Sequence, residues 1–361
     1  MYIKRIILCI VVDFEDEEVI TMDKIYRIGS FNLHNIGTGA FTNDRDLEKI
    51  ANIILTEKMD VVALQEVLTE GKIFTKDDLP SSITKKNIIS YLGGPEHWGF
   101  EWAFSGDESI RHEGYAFLWN KDRLDLSTAE VMRNGKKFTR VYTPRMIKVN
   151  HKDMRRQPYF ARFTPRGKAG GSNFEIRLLC VHTYFGDDNV ADRMIRQNEL
   201  DVLLTDVYPQ MADANFQNAL PRYTILLGDY NAELVTDENL AAVAERNVYR
   251  RSIGMKIPAV MKTDGEGKVH SDRYNVDIVT KQDQLTTLKL KNADSSDESL
   301  ADRGYASNYD HFSYDENALS HVVKKKPRRI DAVRLYCKDD YQEYFKKISD
   351  HIPIIMELQI N

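Results

Sequence analysis

The sequence predicts a mixed α/β protein in which sheets are covered by helices. Short runs of apolar and β-branched residues recur along the chain and have the look of strands buried on both faces. Segments of helical periodicity lie between them. The order is strand, helix, strand, strand, strand, helix, strand, which suits sheets carrying helical layers.

Each apolar run borders residues able to do chemistry. Ile25 to Phe31 leads into Asn32, and Asp60 to Leu64 into Gln65 and Glu66. Tyr115 to Trp119 follows Glu113. Ile176 to Val181 leads into His182, and Thr224 to Leu227 into Gly228, Asp229, Tyr230 and Asn231. Taken singly these are ordinary: Glu66 is a solvated strand end, His182 an interior histidine, Gly228-Asp229 a turn. Their succession at strand ends gives them weight, because those loops are where sites collect. Between the strands, Asn43 or Asp44 caps a predicted helix reaching about Glu57, with Leu47, Ile50, Ala51 and Ile54 on one face. Residues 190–212 read as a second helix with Met194, Leu200, Leu203, Leu204 and Val207 as its apolar members, and 237–247 as a third.

At 361 residues the chain exceeds the size at which single cores stop growing, roughly 250–300 residues. The expectation is one large domain over 22–361, with charged insertions near 121–155 and 248–305. Apolar content of 42% and charged content of 29% are those of a soluble globular protein. A net charge of −5 argues against a basic DNA-coating protein but not against a nucleic-acid substrate, which is met by local patches. Three separated cysteines, Cys9, Cys180 and Cys337, form no zinc or disulfide pattern and point to a reducing compartment. Lys4-Arg5 followed by Ile6 to Val12 imitates the start of an export signal, but Asp13 to Glu18 follows where small residues belong. A cytoplasmic location is the expectation, with export through a weak signal as the alternative. Residues 1–21 are an extension of uncertain status, and translation starts at Met1 or Met22.

Six stretches together, spanning 25–358, resemble the endonuclease/exonuclease/phosphatase (DNase I-like) superfamily. They are Ser30-Phe31-Asn32-Leu33, Leu64-Gln65-Glu66-Val67, Val181-His182-Thr183, Gly228-Asp229-Tyr230-Asn231-Ala232, Asn308-Tyr309-Asp310-His311-Phe312 and Ser349-Asp350-His351-Ile352-Pro353-Ile354. The resemblance implies an α+β fold, a four-layer α/β/β/α sandwich with the site where loops of both sheets meet. It also implies Mg²⁺-dependent phosphodiester hydrolysis, with Mn²⁺ as a substitute. Hard oxygen donors suit such a cation: Glu66 first, with Asn32 and Asp350 close by. Asp229 would orient or deprotonate the water and Asn231 hold the phosphate. His351 with Asp310, and His182 with Glu113, would flank the scissile group as imidazoles backed by carboxylates. Asp331 competes with Asp310 for the first of these pairs. Asp310 is preferred because Tyr309 to Tyr314 reads as a strand, whereas Leu335 and Tyr336 after Asp331 fit a helix.

The DNase-like members match best around Glu113-Gly114-Tyr115 and Arg156-Gln157-Pro158, so Arg156 would contact a DNA phosphate. Lys148, Lys152, Arg155 and Arg162, and the run Lys324 to Arg329, would extend that footprint. The expected substrate is therefore nucleic acid, DNA in particular, cut with little sequence preference. A lipid headgroup or an inositol phosphate is the alternative, though no exposed apolar loop stands out to meet a membrane. A non-catalytic nucleic-acid-binding member is a further alternative; the full set of buried acids and histidines, costly to desolvate, argues against it.

Overall fold

In the computed structural model of the chain, β1 (Ile25–Gly37) and β2 (Val61–Leu68) run parallel, Ile28 opposite Val61 and Asn32 opposite Gln65. Helix α1 (Leu47–Thr56) makes the crossover that a parallel pair requires. β4 (Glu113–Asn120) and β3 (Trp98–Phe104) extend one side of this sheet. β19 (Ile354–Gln359) and β18 (Val323–Arg329) extend the other, in the order β18-β19-β1-β2-β4-β3. The second sheet has the same plan. β10 (Glu175–His182) and β11 (Arg222–Asp229) are its parallel pair. β17 (Asp310–Asp315) and β16 (Ile278–Thr280) lie on one side, and β9 (Tyr159–Pro165), β5 (Leu124–Leu126) and the short β8 (Arg145–Met146) on the other. The structure describes residues 25–37, 45–68, 88–105, 113–151, 154–166, 174–186, 189–216, 220–232, 284–289 and 304–360, with the backbone of five short strands between 234 and 280.

Strand alternation sorts the side chains into three clusters. Val61, Ala63, Tyr115 and Phe117 of the first sheet meet Tyr159, Ala161, Ile176, Leu178 and Ile225 of the second, so the two inner faces pack on each other. Val62, Leu64, Ala116 and Leu118 point the other way, onto Ile50, Ile53 and Ile54 of α1 and onto Val333 and Tyr344 of two C-terminal helices. Leu179, Val181 and Leu226 point outward from the second sheet onto Leu200, Leu203, Leu204 and Val207. Each sheet thus has helices on its outer face, the α+β arrangement the sequence led us to expect.

Several local expectations need correction. α1 is capped by Asp46, which accepts from Lys49 N at 3.0 Å; Asn43 and Asp44 lie outside the described residues. The second helix forms in three pieces: α3 (Val190–Val202), a π-helical turn over Leu203–Val207, and α4 (Tyr208–Asp213). Pro209 lacks the N–H that would continue the ladder, and Tyr208 N reaches back to Leu203 O instead. Met194 is 60% exposed and is not among this helix's core residues. The expected helix over 237–247, Cys9, Lys152 and residues 1–21 all fall outside the described residues. The 121–155 segment is only partly an insertion: β5 and β8 pair with β9, and the hairpin of β6 (Thr128–Arg133) and β7 (Lys136–Val141) projects between them. The 248–305 segment supplies β16, and most of the rest is outside the described residues. Contrary to expectation, that hairpin exposes apolar side chains: Met132, Phe138 and Val141 are 70%, 49% and 51% exposed. Cys180 is core, as read, with its thiol pushed up to about 12 by burial.

Candidate active site

The parallel pairs of both sheets end at one place. Asn32 on β1 and Glu66 on β2 come from the first sheet, and His182 on β10 and Asp229 on β11 from the second; the last two are register partners. Asn32 is fully buried. Its Nδ2 donates to Glu66 Oε1 at 3.0 Å and to Asp229 Oδ2 at 2.9 Å, joining the sheets across the site. Glu66 sits where the register of β2 jumps against both neighbours, with φ +56°. A bulge of this kind re-aims a side chain out of the ladder. Gly228 has φ +142°, and a Cβ there would lie 1.9 Å from Val181 O; this close approach of β11 to β10 explains the glycine before Asp229. Asn231, at φ +46°, donates its backbone N–H to Asp229 Oδ1 at 2.7 Å and its Nδ2 to Thr183 O at 2.9 Å. Non-glycine residues in such conformations cluster at functional sites.

Asp229 stands between two imidazoles. Nε2 of His182 and Nε2 of His351 each lie 3.5 Å from its Oδ2. Behind each ring is a second carboxylate: Glu113 Oε1 at 2.5 Å from His182 Nδ1, and Asp310 Oδ2 at 2.8 Å from His351 Nδ1. The choice between Asp310 and Asp331 therefore falls to Asp310. Asp331 stands at the start of a helix (Ala332–Cys337) and pairs with Arg334 at 2.8 Å on the surface. Burial works against charge on every member of this cluster, and the partners decide the outcome. Burial would raise Glu113, but Arg156 and His182 hold it at about 2. Burial lowers His182, and Glu113 and Asp229 together outweigh it, so its pKa is raised. His351 is opposed by burial yet held well above the usual imidazole range by Asp310 and Asp229. Burial raises Asp229 in spite of both histidines.

Asp350 faces the same cleft as Glu66 and is met there by His34. Its Oδ1 lies 2.9 Å from His34 Nδ1 but makes no well-formed hydrogen bond, and its pKa is lowered, with His34 and His351 overcoming burial. Asp350 and Glu66 line the same cleft, about 470 Å³ in volume, with His34, Arg156, His182, Asp229 and His351. Two carboxylates, one carrying an unsatisfied buried oxygen, and the Asn32 amide form an oxygen-rich donor set that fits a hard divalent cation. Two tighter groups, Glu66 with His182 and Asp229, and Asp229 with Asp310 and His351, also have ligand atoms within 4.8 Å of one another. Arg156 is 9% exposed, ion-paired with Glu113 Oε2 at 3.0 Å, and donates to Thr183 O at 2.9 Å. It supports His182 through Glu113 and at the same time lines the cleft in which a phosphate contact was foreseen. Arg162 is buried on the outer face of the second sheet, remote from the cleft.

Three residues of this neighbourhood escaped the sequence reading. His34 lies two positions past Asn32 on β1, and that placement was its one available signal. Arg45 is 8% exposed and donates to His34 O and Phe345 O, each at 2.8 Å. Glu199 is fully buried on α3; it accepts from Tyr184 N at 2.5 Å and Arg155 N at 2.7 Å, tying the loop that follows His182 to the loop that carries Arg156. Burial raises its carboxyl to about 7. Glu199→Gln keeps the shape but turns an amide donor toward one of those two backbone donors, whichever way it is placed. Under the phosphodiesterase reading proposed below, the rate is expected to fall on the order of 10- to 100-fold through misplacement of these loops. The folded pKa of about 7 stands above an unfolded value near 4.3. Stability from this group is therefore complete below pH ~4.3 and lost as pH rises through about 7. Glu199→Gln should lose that slope in thermal midpoint; an unchanged slope and rate would remove the clamp from the account.

No family model and no curated protein matches this chain. Among solved structures it is similar to an endonuclease/exonuclease/phosphatase family protein from Bacteroides thetaiotaomicron, at 12% identity over 93% of this chain and 98% of that one, with a TM-score of 0.47. One of the same description from Leptotrichia buccalis C-1013-b gives 14% identity, 93% and 100% coverage and a TM-score of 0.46. D. rerio TDP2 complexed with single strand DNA product gives 15%, 94%, 100% and 0.49. Likeness at this level does not assign a reaction, and the residues above carry the functional reading.

Proposed function

We propose that the chain is a divalent-metal-dependent phosphodiesterase of the endonuclease/exonuclease/phosphatase kind, acting on a nucleic-acid backbone, DNA in particular, with little sequence preference. The observation that carries this reading is Asp229, a buried carboxylate set between two imidazoles that are each backed by a further carboxylate. That arrangement suits a single water and a single phosphoryl group. Asp229 aligns the water and accepts its proton. His182 and His351, held protonated by Glu113 and Asp310, donate to phosphoryl oxygens and to the departing oxygen, where charge develops. Asn231 fixes Asp229 through its backbone N–H, and its side-chain amide, which donates to Thr183 O, lies in the cleft wall where it would meet the phosphate. Glu66, Asn32 and Asp350 are the residues that would hold Mg²⁺ or Mn²⁺. When bound, such a cation polarises a phosphoryl oxygen and neutralises charge on the leaving group.

Arg133 and Lys136 on the β6–β7 hairpin are exposed and support a polyanionic substrate, whereas Lys137 beside them is paired with Glu130. The same hairpin supports a second reading, because the exposed Met132 and Phe138 among those cations also suit an anionic lipid surface. In that case the scissile ester belongs to a lipid headgroup. The test is to incubate the protein and a Glu66→Ala control with plasmid, single-stranded DNA, RNA, sphingomyelin vesicles and an inositol polyphosphate, with and without Mg²⁺. We expect Mg²⁺-dependent cutting of DNA that improves with polymer length and weakens steeply with salt. Preference for the vesicles would move the chain to the second reading, and no turnover of any phosphodiester would end both.

A further inference from the structure

A second concentration of positive charge lies on the outer face of the second sheet. Arg162 on β9 and Arg177 on β10 are cross-strand partners, 3% and 0% exposed. Glu175 accepts from Arg162 Nη2 and from Arg177 Nε, each at 2.6 Å. Two aromatic rings interleave with the cations. Arg162 Cζ lies 4.1 Å from the ring centre of Tyr142 and 4.2 Å from that of Phe216. Arg177 lies 4.7 Å from Phe216, and Arg140 5.2 Å from Tyr142. The result is a ladder, Arg140–Tyr142–Arg162–Phe216–Arg177. Beside it is a cavity of about 100 Å³ whose walls include Arg140, Arg145, Arg162 and Thr143.

Two features separate this cavity from an ordinary solvated face. Arg162 Nε and Nη1 are buried with no hydrogen-bond partner among the described residues, whereas buried donors nearly always find an acceptor. Three guanidiniums also share one small space, and no acidic residue stands among the described residues of its wall. Their mutual repulsion is relieved most directly by an anion.

We propose that this cavity binds a phosphate-class oxyanion. Guanidinium forks match the oxygens of such an anion in pairs, the Thr143 hydroxyl adds a donor, and the two rings hold the Arg162 plane in place. Glu175, bound at Nη2, leaves the other nitrogens of Arg162 for the ligand. The anion is either free in solution or one phosphate of a longer chain. Arg177 precedes His182 by five residues on β10, about 17 Å at ~3.3 Å per residue. A stacked strand reaching both places spans roughly five nucleotides at ~3.4 Å each.

The test uses the full chain in EDTA. Inorganic phosphate is titrated in and followed by phosphorus NMR line width and by thermal midpoint. Saturable binding is expected, weakened at least tenfold in the Arg140→Ala/Arg145→Ala double variant. Both side chains are exposed, so the fold should survive, with circular dichroism as the check. Arg162→Lys is the second variant; it keeps the charge, loses the fork, and should weaken binding as well. An eight-nucleotide DNA strand separates the two sources. If the double variant also binds it more weakly, the anion belongs to a polymer; if only inorganic phosphate responds, the anion is free. Non-saturable binding, or equal affinity in wild type and double variant, overturns the proposal.

Discussion

Asp229→Asn is expected to lower turnover of a phosphodiester by about 10³- to 10⁴-fold, toward the upper part of the range for a positioned proton acceptor. The substitution keeps the shape and lets Oδ1 still accept from Asn231 N. It places a donor where Asn32 Nδ2 and both histidine Nε2 atoms now face an acceptor. It also removes a charge that helps to keep both imidazoles protonated. The loss therefore falls on the water, on the bridge between the sheets and on the two donors together. Steady-state kinetics on bis(p-nitrophenyl) phosphate and on plasmid DNA, with circular dichroism to verify the fold, provide the measurement. A folded variant within tenfold of wild type would show that Asp229 is not the acceptor.

His351→Ala should cost on the order of 10²-fold or more in rate, with substrate affinity much less changed. Asp310→Asn should add little on top of it, because a pair acting as one unit is strongly non-additive. Alone, Asp310→Asn has a pH signature. Without its carboxylate, His351 loses its proton at lower pH, so the variant's rate should fall at a lower pH than that of the wild type. Asp331→Asn should leave rate and profile near wild type, since Asp331 pairs with Arg334 at the surface. Additive losses from His351 and Asp310, or an unshifted profile, would separate the two residues.

Much of this site was legible because it is built from strand ends. Asn32, Glu66, His182 and Asp229 each close an apolar run whose period fixes which residue emerges at the sheet edge, and the structure gathers all four. Glu113 and Asp310 are also where the sequence suggested. What escaped depends on tertiary distance. Glu199 sits in the polar stretch Gln197-Asn198-Glu199 and reads as a helix surface; only the folded chain shows it beneath two loops. Arg156 and Arg162 both read as surface cations near the substrate. Arg156 is turned inward by Glu113, and alternation on β9 sets Arg162 on the outer face with Phe160, where aromatic rings and Glu175 take it up. The cap of α1 is Asp46 because the side chain that reaches Lys49 N decides a cap, and Asn43, Asp44 and Asp46 look alike in a sequence.

In the proposed function, Glu66 belongs to a cation site on which phosphodiester hydrolysis depends. The direct measurement is the rate of plasmid and bis(p-nitrophenyl) phosphate hydrolysis by EDTA-dialysed protein as Mg²⁺ or Mn²⁺ is added back, for wild type and Glu66→Gln. Background rates in EDTA, recovery on saturation, and a half-saturating cation concentration raised at least about tenfold in the variant are expected, the lower end of the loss when a metal site is impaired. Full turnover in EDTA, or superimposable titrations for the two proteins, would contradict such a site.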